Sequence, residues 1–131
     1  MPPPSSPILT PAEKRIMNVL WRKGEGSVND VQSALKMDAN LAYNTVLSLL
    51  RTMTAKGYVK FKKIGRAHIY SPALSEKQAR DKAIKNLLKS FFGNSPHAFA
   101  QHLVHDSALK REDLDALMYT IIEAEKASQD D

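Results

Sequence analysis

Residues 43–51 combine short polar side chains with one cation at a spacing that suits contact with DNA. Helical periodicity places them opposite an apolar stripe that includes Val46 and Leu50. Near a helix N-terminus, short polar groups reach the hydrogen-bonding edges of bases, whereas a cation two turns later is better placed for a phosphate. The candidate base-reading residues are Tyr43, Asn44, Thr45 and Ser48, and the candidate backbone contact is Arg51.

A basic segment follows this helix directly. From Tyr58 onward apolar and charged residues alternate, and Gly65-Arg66 marks the turn of a β-hairpin. Lysines also protect exposed strand edges, and polar residues cover ordinary solvated helix faces, but a polar helix beside a basic ribbon favours DNA binding. The hairpin would bind phosphates largely without regard to base sequence, with Arg66 entering a minor groove. The candidate backbone contacts are Lys60, Lys62, Lys63, Arg66 and His68.

The first half of the chain predicts three helices and this hairpin. Thr10-Pro11-Ala12-Glu13 forms a capping box, Ser27 caps the second helix, and Gly57 ends a third helix expected over about 41–56. The second helix, the Met37–Asn40 turn and the third helix form a helix-turn-helix, which the hairpin makes winged. The expected core residues are Ile16, Met17, Leu20, Trp21, Val28, Val31, Leu35, Ala42, Val46, Leu49, Leu50 and Met53.

The second half is predicted to be helical throughout. Ser75–Gln78 forms another capping box, Gly93-Asn94 ends that helix, Ser95-Pro96 opens a short one, and a last helix covers about 110–126. Three thin helices bury too little surface to be stable alone, so another copy of the chain is the simplest partner. The predicted dimerisation residues are Leu87, Leu88, Phe91, Phe99, Leu103, Leu114, Leu117, Met118, Ile121 and Ile122.

The charge is unevenly distributed along the 131 residues. Residues 1–73 carry 11 Lys and Arg against 4 Asp and Glu, whereas residues 74–131 carry 8 against 10. A basic front half and a mildly acidic back half indicate a division of labour, with polyanion binding first. The predicted organisation is a flexible tail at 1–8, a winged-helix DNA-binding domain at 9–73, a helical dimerisation domain at 74–127 and a tail at 128–131.

Composition favours a cytoplasmic binding protein over an enzyme. Cysteine is absent, which excludes disulfides, thiolate metal sites and cysteine nucleophiles and fits a reducing compartment. No apolar run is long enough to span a bilayer, and the opening MPPPSSP lacks the regions of a secretion signal. Because no catalytic constellation or glycine-rich phosphate loop is present, neither an enzymatic activity nor a cofactor is expected.

Four sequence motifs are specific when they occur together: Met17-Asn18-x-x-Trp21, Ala42-Tyr43-x-Thr45-Val46, Lys56-Gly57 and Gly65-Arg66-Ala67-His68-x-Tyr70-x-Pro72. With these motifs the chain resembles the penicillinase-repressor family (BlaI, MecI and CopY) over about residues 9–125. The resemblance implies a winged-helix transcriptional repressor that binds palindromic operators as a dimer, on half-sites centred on TACA/TGTA. By position it implies base contacts from Asn44, Thr45, Leu47 and Ser48, and Leu47 departs from the polar or basic residue that is frequent there.

The resemblance also implies a route of induction. Relatives that govern β-lactam resistance genes are inactivated by proteolysis after a membrane sensor protease detects the antibiotic. The bond that is cut is typically Asn-Phe, and the aligned bond here is His102-Leu103, which departs from that pattern. The copper-sensing branch uses a C-terminal cysteine cluster that this chain lacks, so copper sensing through thiolates is excluded.

Two further functions are alternatives. A winged helix that docks a partner protein would carry exposed apolar anchors on the third helix, where Leu47 is the candidate. A metal-responsive regulator would use the segment of His97, His102, His105 and Asp106, in which His102 and His105 have the spacing of one helix face. A fourth ligand would have to come from elsewhere, so surface or interface histidines are the preferred interpretation and no metal site is predicted.

Overall fold

The computed structural model describes residues 9–36, 40–106 and 108–129. Within these ranges the mainly helical, winged helix-turn-helix order predicted from the sequence is confirmed. Most of the predicted Met37–Asn40 turn, the tail at 1–8 and the last two residues lie outside the described ranges. The elements are α1 (Pro11–Lys23), α2 (Val28–Leu35), α3 (Tyr43–Ala55), β1 (Val59–Ile64), β2 (Ala67–Pro72), α4 (Glu76–Phe91), α5 (Pro96–His105) and α6 (Arg111–Gln129).

The chain forms two compact units, residues 1–86 and 87–131. The division falls within α4 rather than at residue 73, because Leu74 is buried in the first core and Ala79 packs against that core. The indole N–H of Trp21 also donates a 2.9 Å hydrogen bond to the carbonyl of Leu74. The first turns of α4 therefore belong with the winged helix.

Side-chain caps mark the starts of α1 and α2. The Thr10 hydroxyl accepts from the backbone N–H of Glu13 at 3.2 Å, and the Glu13 carboxylate accepts from the backbone N–H of Thr10 at 2.9 Å. Ser27 and Asp30 make the same reciprocal pair before α2. These bonds satisfy backbone donors that a helix start leaves unpaired. Both caps were predicted from the sequence, with Ser27 alone named for α2.

Nine of the twelve expected core residues are buried and three are not, and the core also contains Val19, Tyr58, Val59, Tyr70 and Leu74. α3 begins at Tyr43, so Ala42 is its extended N-cap residue and is exposed rather than buried. Trp21 and Leu49 are only partly buried, because they lie at the edge of the apolar stripes. The buried apolar residues are Ile16, Met17, Val19, Leu20, Val28, Val31, Leu35, Val46, Leu50, Met53, Tyr58, Val59, Tyr70 and Leu74.

A buried carboxylate ties the start of α1 to the end of α3. Glu13 is only 2% exposed, and it accepts a 2.8 Å hydrogen bond from the Nζ of Lys56. Burial raises the pKa of Glu13, but hydrogen bonds from Lys56 and Thr10 outweigh that effect and leave its pKa below the usual value. The carboxylate therefore stays charged and serves both a helix cap and an ion pair.

The second unit has a different character. Among its described residues none is fully buried. Gly93 and Asn94 both adopt positive φ, at 56° and 62°, and end α4, and the Ser95 hydroxyl then accepts from the N–H of Ala98 to begin α5. α6 continues to Gln129, past the predicted end of the helical region at 127, since no glycine or proline interrupts it. No helix in the described part of the chain is long and apolar enough to cross a membrane.

Candidate nucleic-acid interface

α3 presents its polar face to solvent. Its opposite side is anchored by Val46, Leu50 and Met53, which are completely buried at three- and four-residue spacing. This anchoring leaves the predicted DNA-contacting residues of the helix accessible on one face. Asn44, Thr45, Ser48 and Arg51 are exposed, and Tyr43 is 43% exposed.

The wing turns at the predicted glycine. Ile64 pairs with Ala67, so Gly65-Arg66 is a two-residue loop. Gly65 has φ +63°, and a positive φ at the first loop position belongs to the turn types whose twist matches that of a hairpin. A side chain with a Cβ would be strained there. Arg66 is consequently held at the tip of the wing.

The pairing register divides the charged residues of the wing between two faces. Lys63 pairs with His68, and Phe61 pairs with Tyr70, so these four side chains share one face. Phe61 stacks on His68 with ring centroids 4.7 Å apart. Lys60 and Lys62 alternate with them and therefore occupy the other face of the hairpin.

Lys62 has a partner on that other face. Its Nζ lies 3.4 Å from an oxygen of Glu25 in the loop between α1 and α2, and both side chains are more than half exposed. An exposed pair of this kind contributes little to stability, but it offsets the positive charge of Lys62. The wing lysines predicted from the sequence thus lie in two different electrostatic settings.

The exposed face of α3, the start of α2 and the wing together form a cleft of about 240 Å³. Arg51, Arg66 and His68 supply cationic or polar nitrogen groups around it, a combination suited to a phosphate. Among the predicted base-reading residues Tyr43 lines this cleft, whereas Asn44, Thr45 and Ser48 do not. The lining residues are Ser27, Val28, Asn29, Tyr43, Leu47, Arg51, Arg66, Ala67 and His68.

A buried tyrosine lies next to this group of side chains. Tyr70 is only 2% exposed. Burial raises the pKa of its hydroxyl, and the nearby positive charge of Arg51 offsets part of that effect. Tyr70 therefore remains neutral, close enough to Arg51 and Tyr43 to feel their charge.

Sequence reasoning missed two polar residues of the cleft. The sequence predicts Ser27 only as a helix cap and does not single out Asn29. The available signal was positional, because the first helix of a helix-turn-helix crosses the DNA backbone and its N-terminal residues lie near phosphates. Both residues line the cleft together with Arg51 and Arg66.

The structure gives less support to the two alternative functions. Leu47 is partly buried against the core, so it is not a free apolar anchor for a partner protein. In the C-terminal unit, His102 lies 3.4 Å from Asp106 and its ring contacts Phe92 edge-on. Across the described residues, no three histidine, aspartate or glutamate side chains converge as a metal site requires.

Comparison with known sequences decides the family. The profile of the penicillinase repressor family matches residues 9–124. This chain belongs to the penicillinase repressor family. The resemblance predicted from the sequence motifs is thereby confirmed, and the family consists of transcriptional repressors rather than enzymes.

Individual relatives of the family are distant but collinear with this chain. A penicillinase repressor of Bacillus licheniformis is 23% identical over 120 residues, which cover 92% of this chain and 93% of that one. The methicillin resistance regulatory protein MecI of Staphylococcus aureus is 21% identical over 109 residues, covering 83% and 89%. The solution structure of the DNA-binding domain of the repressor BlaI is 25% identical, with a TM-score of 0.51, over 58% of this chain and 93% of that one.

Proposed function

We propose that this protein is a sequence-specific transcriptional repressor that acts as a homodimer on a palindromic DNA operator. The observation that carries the proposal is the arrangement of the first unit. An exposed polar face of α3 adjoins a cleft bordered by Arg51, Arg66 and His68. That arrangement matches a helix reading bases beside a wing that binds phosphates.

Base reading is assigned to the exposed N-terminal turns of α3. In each protomer α3 enters a major groove, where Asn44, Thr45 and Ser48 contact base edges and Tyr43 lies at the border of the phosphate cleft. Asn pairs with adenine through two hydrogen bonds, and a Thr methyl contacts thymine. A TACA/TGTA half-site, which the family resemblance implies, offers both kinds of contact. Leu47 lies between these residues, packs partly against the core and also lines the cleft, and its apolar side chain adds no polar contact.

Backbone binding is assigned to the cleft and to the wing face next to it. Arg51 and Arg66 hold a phosphate, assisted by Asn29 and the backbone at the start of α2. Lys63 lies on the same wing face as His68, and this shared face supports its assignment as a contact to the DNA backbone. Lys60 and Lys62 lie on the opposite face and contribute mainly through long-range attraction.

Homodimerisation is assigned to the second unit because its large apolar side chains lack cover in one chain. Phe91 is 77% exposed, Met118 60% and Ile121 56%. α5 and α6 also border an entirely apolar cleft of about 360 Å³, which includes Leu103, Leu114 and Leu117. An apolar surface of this kind marks an interaction site, and a second copy offers the matching surface. The remaining predicted dimer residues, Leu87, Leu88, Phe99 and Ile122, are partly buried or exposed.

Induction by proteolysis at His102-Leu103 is a separate part of the proposal. The bond lies inside α5, and Leu103 is half-buried. A protease cleaves extended backbone, so α5 must open locally before the bond can be cut. If the target genes, including β-lactam resistance genes, are derepressed while the full-length chain persists in cells, this route is wrong.

The experiment that tests the DNA-binding proposal is a fluorescence-anisotropy titration. A duplex with a TACA/TGTA palindrome is compared with a scrambled duplex of equal length, at two salt concentrations. We expect a preference of roughly a thousandfold or more for the palindrome and two chains per duplex. Equal binding to both, with a strong salt dependence, would show that only the charge of the DNA is read.

A further inference from the structure

A second cleft lies on the first unit, away from the candidate DNA-binding residues. It is bordered by the residues that lead into and form α1 and by the first turns of α4, and it encloses about 290 Å³. This volume is at the small end of ligand sites and suits a single aromatic ring with one polar substituent. The lining residues are Leu9, Lys14, Trp21, Glu76, Ala79, Arg80 and Ala83.

The walls of this cleft are mainly apolar and contain a fixed aromatic ring. The indole N–H of Trp21 donates to the carbonyl of Leu74 at 2.9 Å, which sets the orientation of the ring. Ala79 and Ala83 lie four residues apart on one face of α4, and their short side chains leave room in the cleft. The cleft therefore offers a planar apolar group a wall made of Trp21, Ala79 and Ala83.

The polar groups of the cleft favour an anion. The Nζ of Lys14 lies 5.8 Å from the centroid of the Trp21 ring. Arg80 pairs with Glu76 at 3.0 Å, and both side chains are more than half exposed. Because such an exposed pair is weak, the guanidinium can exchange Glu76 for the carboxylate of a ligand, which it can hold through two hydrogen bonds. Two cations against one carboxylate leave the cleft with net positive charge.

We propose that this cleft binds a small monocyclic organic anion. Its carboxylate is held by Lys14 and Arg80, and its ring lies against Trp21, Ala79 and Ala83. The ligand contacts α1 and the first turns of α4 together, so it stabilises their packing against each other. This inference does not rest on DNA binding.

Benzoate is the probe for this site, and benzamide is its neutral counterpart of nearly the same shape. Trp21 is the single tryptophan of the chain, so a change in its fluorescence reports on the cleft directly. In the full-length protein at constant ionic strength, we expect a saturable change with benzoate. Benzamide should bind at least about fivefold more weakly, since it lacks the charge that the two cations recognise.

Three variants locate the response. Arg80→Gln should weaken benzoate binding about fivefold or more and leave benzamide nearly unchanged, because only the charged contact is lost. Ala83→Leu fills the cleft and should weaken both ligands at least about tenfold. Lys85→Gln, an exposed position of α4 outside the cleft, should bind both like the wild type. Thermal unfolding of each variant checks that it folds. If Ala83→Leu does not fold, the comparison of benzoate with benzamide in Arg80→Gln tests the proposal by itself.

Several results would overturn the proposal. Equal affinity for benzoate and benzamide would mean that the cations do not recognise the ligand. A fluorescence change that never saturates, or one that persists at full strength in both Arg80→Gln and Ala83→Leu, would mean that the cleft binds no such anion.

Discussion

Glu13 acts at two places in the first unit. Its carboxylate caps α1 through the N–H of Thr10 and receives a hydrogen bond from Lys56 at the end of α3. Among the described residues, Glu13 is the one charged residue whose side chain is fully buried. A buried charge is tolerated when its partners satisfy it, and removing one partner exposes the full cost of burial. The orientation of α3, to which we assign base reading, therefore depends partly on this pair.

Replacing Glu13 with Gln should destabilise the protein at neutral pH. The amide oxygen can still accept from Thr10, but Lys56 loses its charged partner, so we expect a loss of about 1–3 kcal/mol in the free energy of unfolding. Urea unfolding monitored by circular dichroism measures it. The matched control is Glu25→Gln, which removes the exposed partner of Lys62 and should cost less than about 0.5 kcal/mol. Equal losses in the two variants would refute a special role for Glu13.

The same pair predicts how stability depends on pH. The pKa of Glu13 is below its usual value of 4.5, so its contribution is present above about pH 4.5 and is lost as the pH falls through the folded-state pKa. The hydrogen bond to Glu13 raises the pKa of Lys56 above 10.5, so the contribution of Lys56 is lost only at strongly alkaline pH. The stability difference between wild type and Glu13→Gln should be constant from about pH 5 to 9 and shrink in acid. A difference that persists unchanged at pH 3 would contradict this assignment.

Asn44 tests base reading by a single side chain. It is exposed near the start of α3 and does not line the cleft between α3 and the wing. Asn44→Ala should therefore weaken binding to the operator by about 1–3 kcal/mol and leave binding to random DNA nearly unchanged. Anisotropy titrations of both duplexes measure the two losses. If the losses are equal, Asn44 contributes to general affinity and does not read a base.

Within the wing, Lys62 and Lys63 lie on opposite faces of the hairpin and have different surroundings. Strand alternation places Lys63 beside His68, whereas Lys62 lies on the other face near Glu25. The sequence alone predicted equal roles for them, since alternation does not tell which face of a hairpin meets the rest of the fold. The contact between Lys62 and Glu25, which lies 37 positions earlier in the chain, distinguishes the environment of Lys62 from that of Lys63.

Alanine variants of these two lysines should behave differently in DNA binding. Lys63→Ala should weaken binding to specific and random DNA alike and lower the slope of log affinity against log salt by about one. Lys62→Ala removes a charge that Glu25 already offsets, so its slope should change by less than about half as much. Titrations at four or more salt concentrations give both slopes. Identical slopes for the two variants would show that lysines on both faces of the wing interact equally with the DNA phosphates.

The elements were predictable from sequence where their signals are local. The caps at Thr10 and Ser27 depend on residues three positions apart, and the turn at Gly65 depends on one residue. The start of α3 was placed too early because Ala42 makes no side-chain cap that could mark it. Partners such as Glu13 and Lys56 lie 43 residues apart, and only the tertiary fold brings them together. The helix-turn-helix pattern could have indicated Asn29, but its position in one cleft with Arg66 depends on the tertiary fold.

The two units of the chain differ in how many of their apolar side chains are buried. The first unit has a complete core that includes Ile16, Leu20 and Leu50. In the described part of the second unit no side chain is fully buried, and apolar residues of α6 are exposed. Three helices with this little burial need further cover to be stable. A dimer would supply that cover and would also link two winged helices for a palindromic operator.

Substitutions on opposite faces of α6 test this assembly. Ile121 borders the apolar cleft with Leu117 and Met118, whereas Tyr119, also exposed, lies on the opposite side of the helix by its spacing. Ile121→Asp places a charge in the proposed interface and should weaken dimerisation by at least about 100-fold, or roughly 2.8 kcal/mol, by sedimentation. Tyr119→Asp introduces the same charge at an exposed site and should leave the dimer intact.

The consequence for DNA binding follows from the same pair of variants. Once Ile121→Asp separates the protomers, each winged helix binds its half-site independently, so operator affinity should fall with the loss of linkage while binding to an isolated half-site stays the same. Circular dichroism of Ile121→Asp checks that its helices remain formed. A variant that is folded and monomeric yet binds the full operator as tightly as wild type would show that operator affinity does not depend on linking the two winged helices through the second unit. A dimer that resists Ile121→Asp but dissociates with Tyr119→Asp would place the interface on the opposite face of α6.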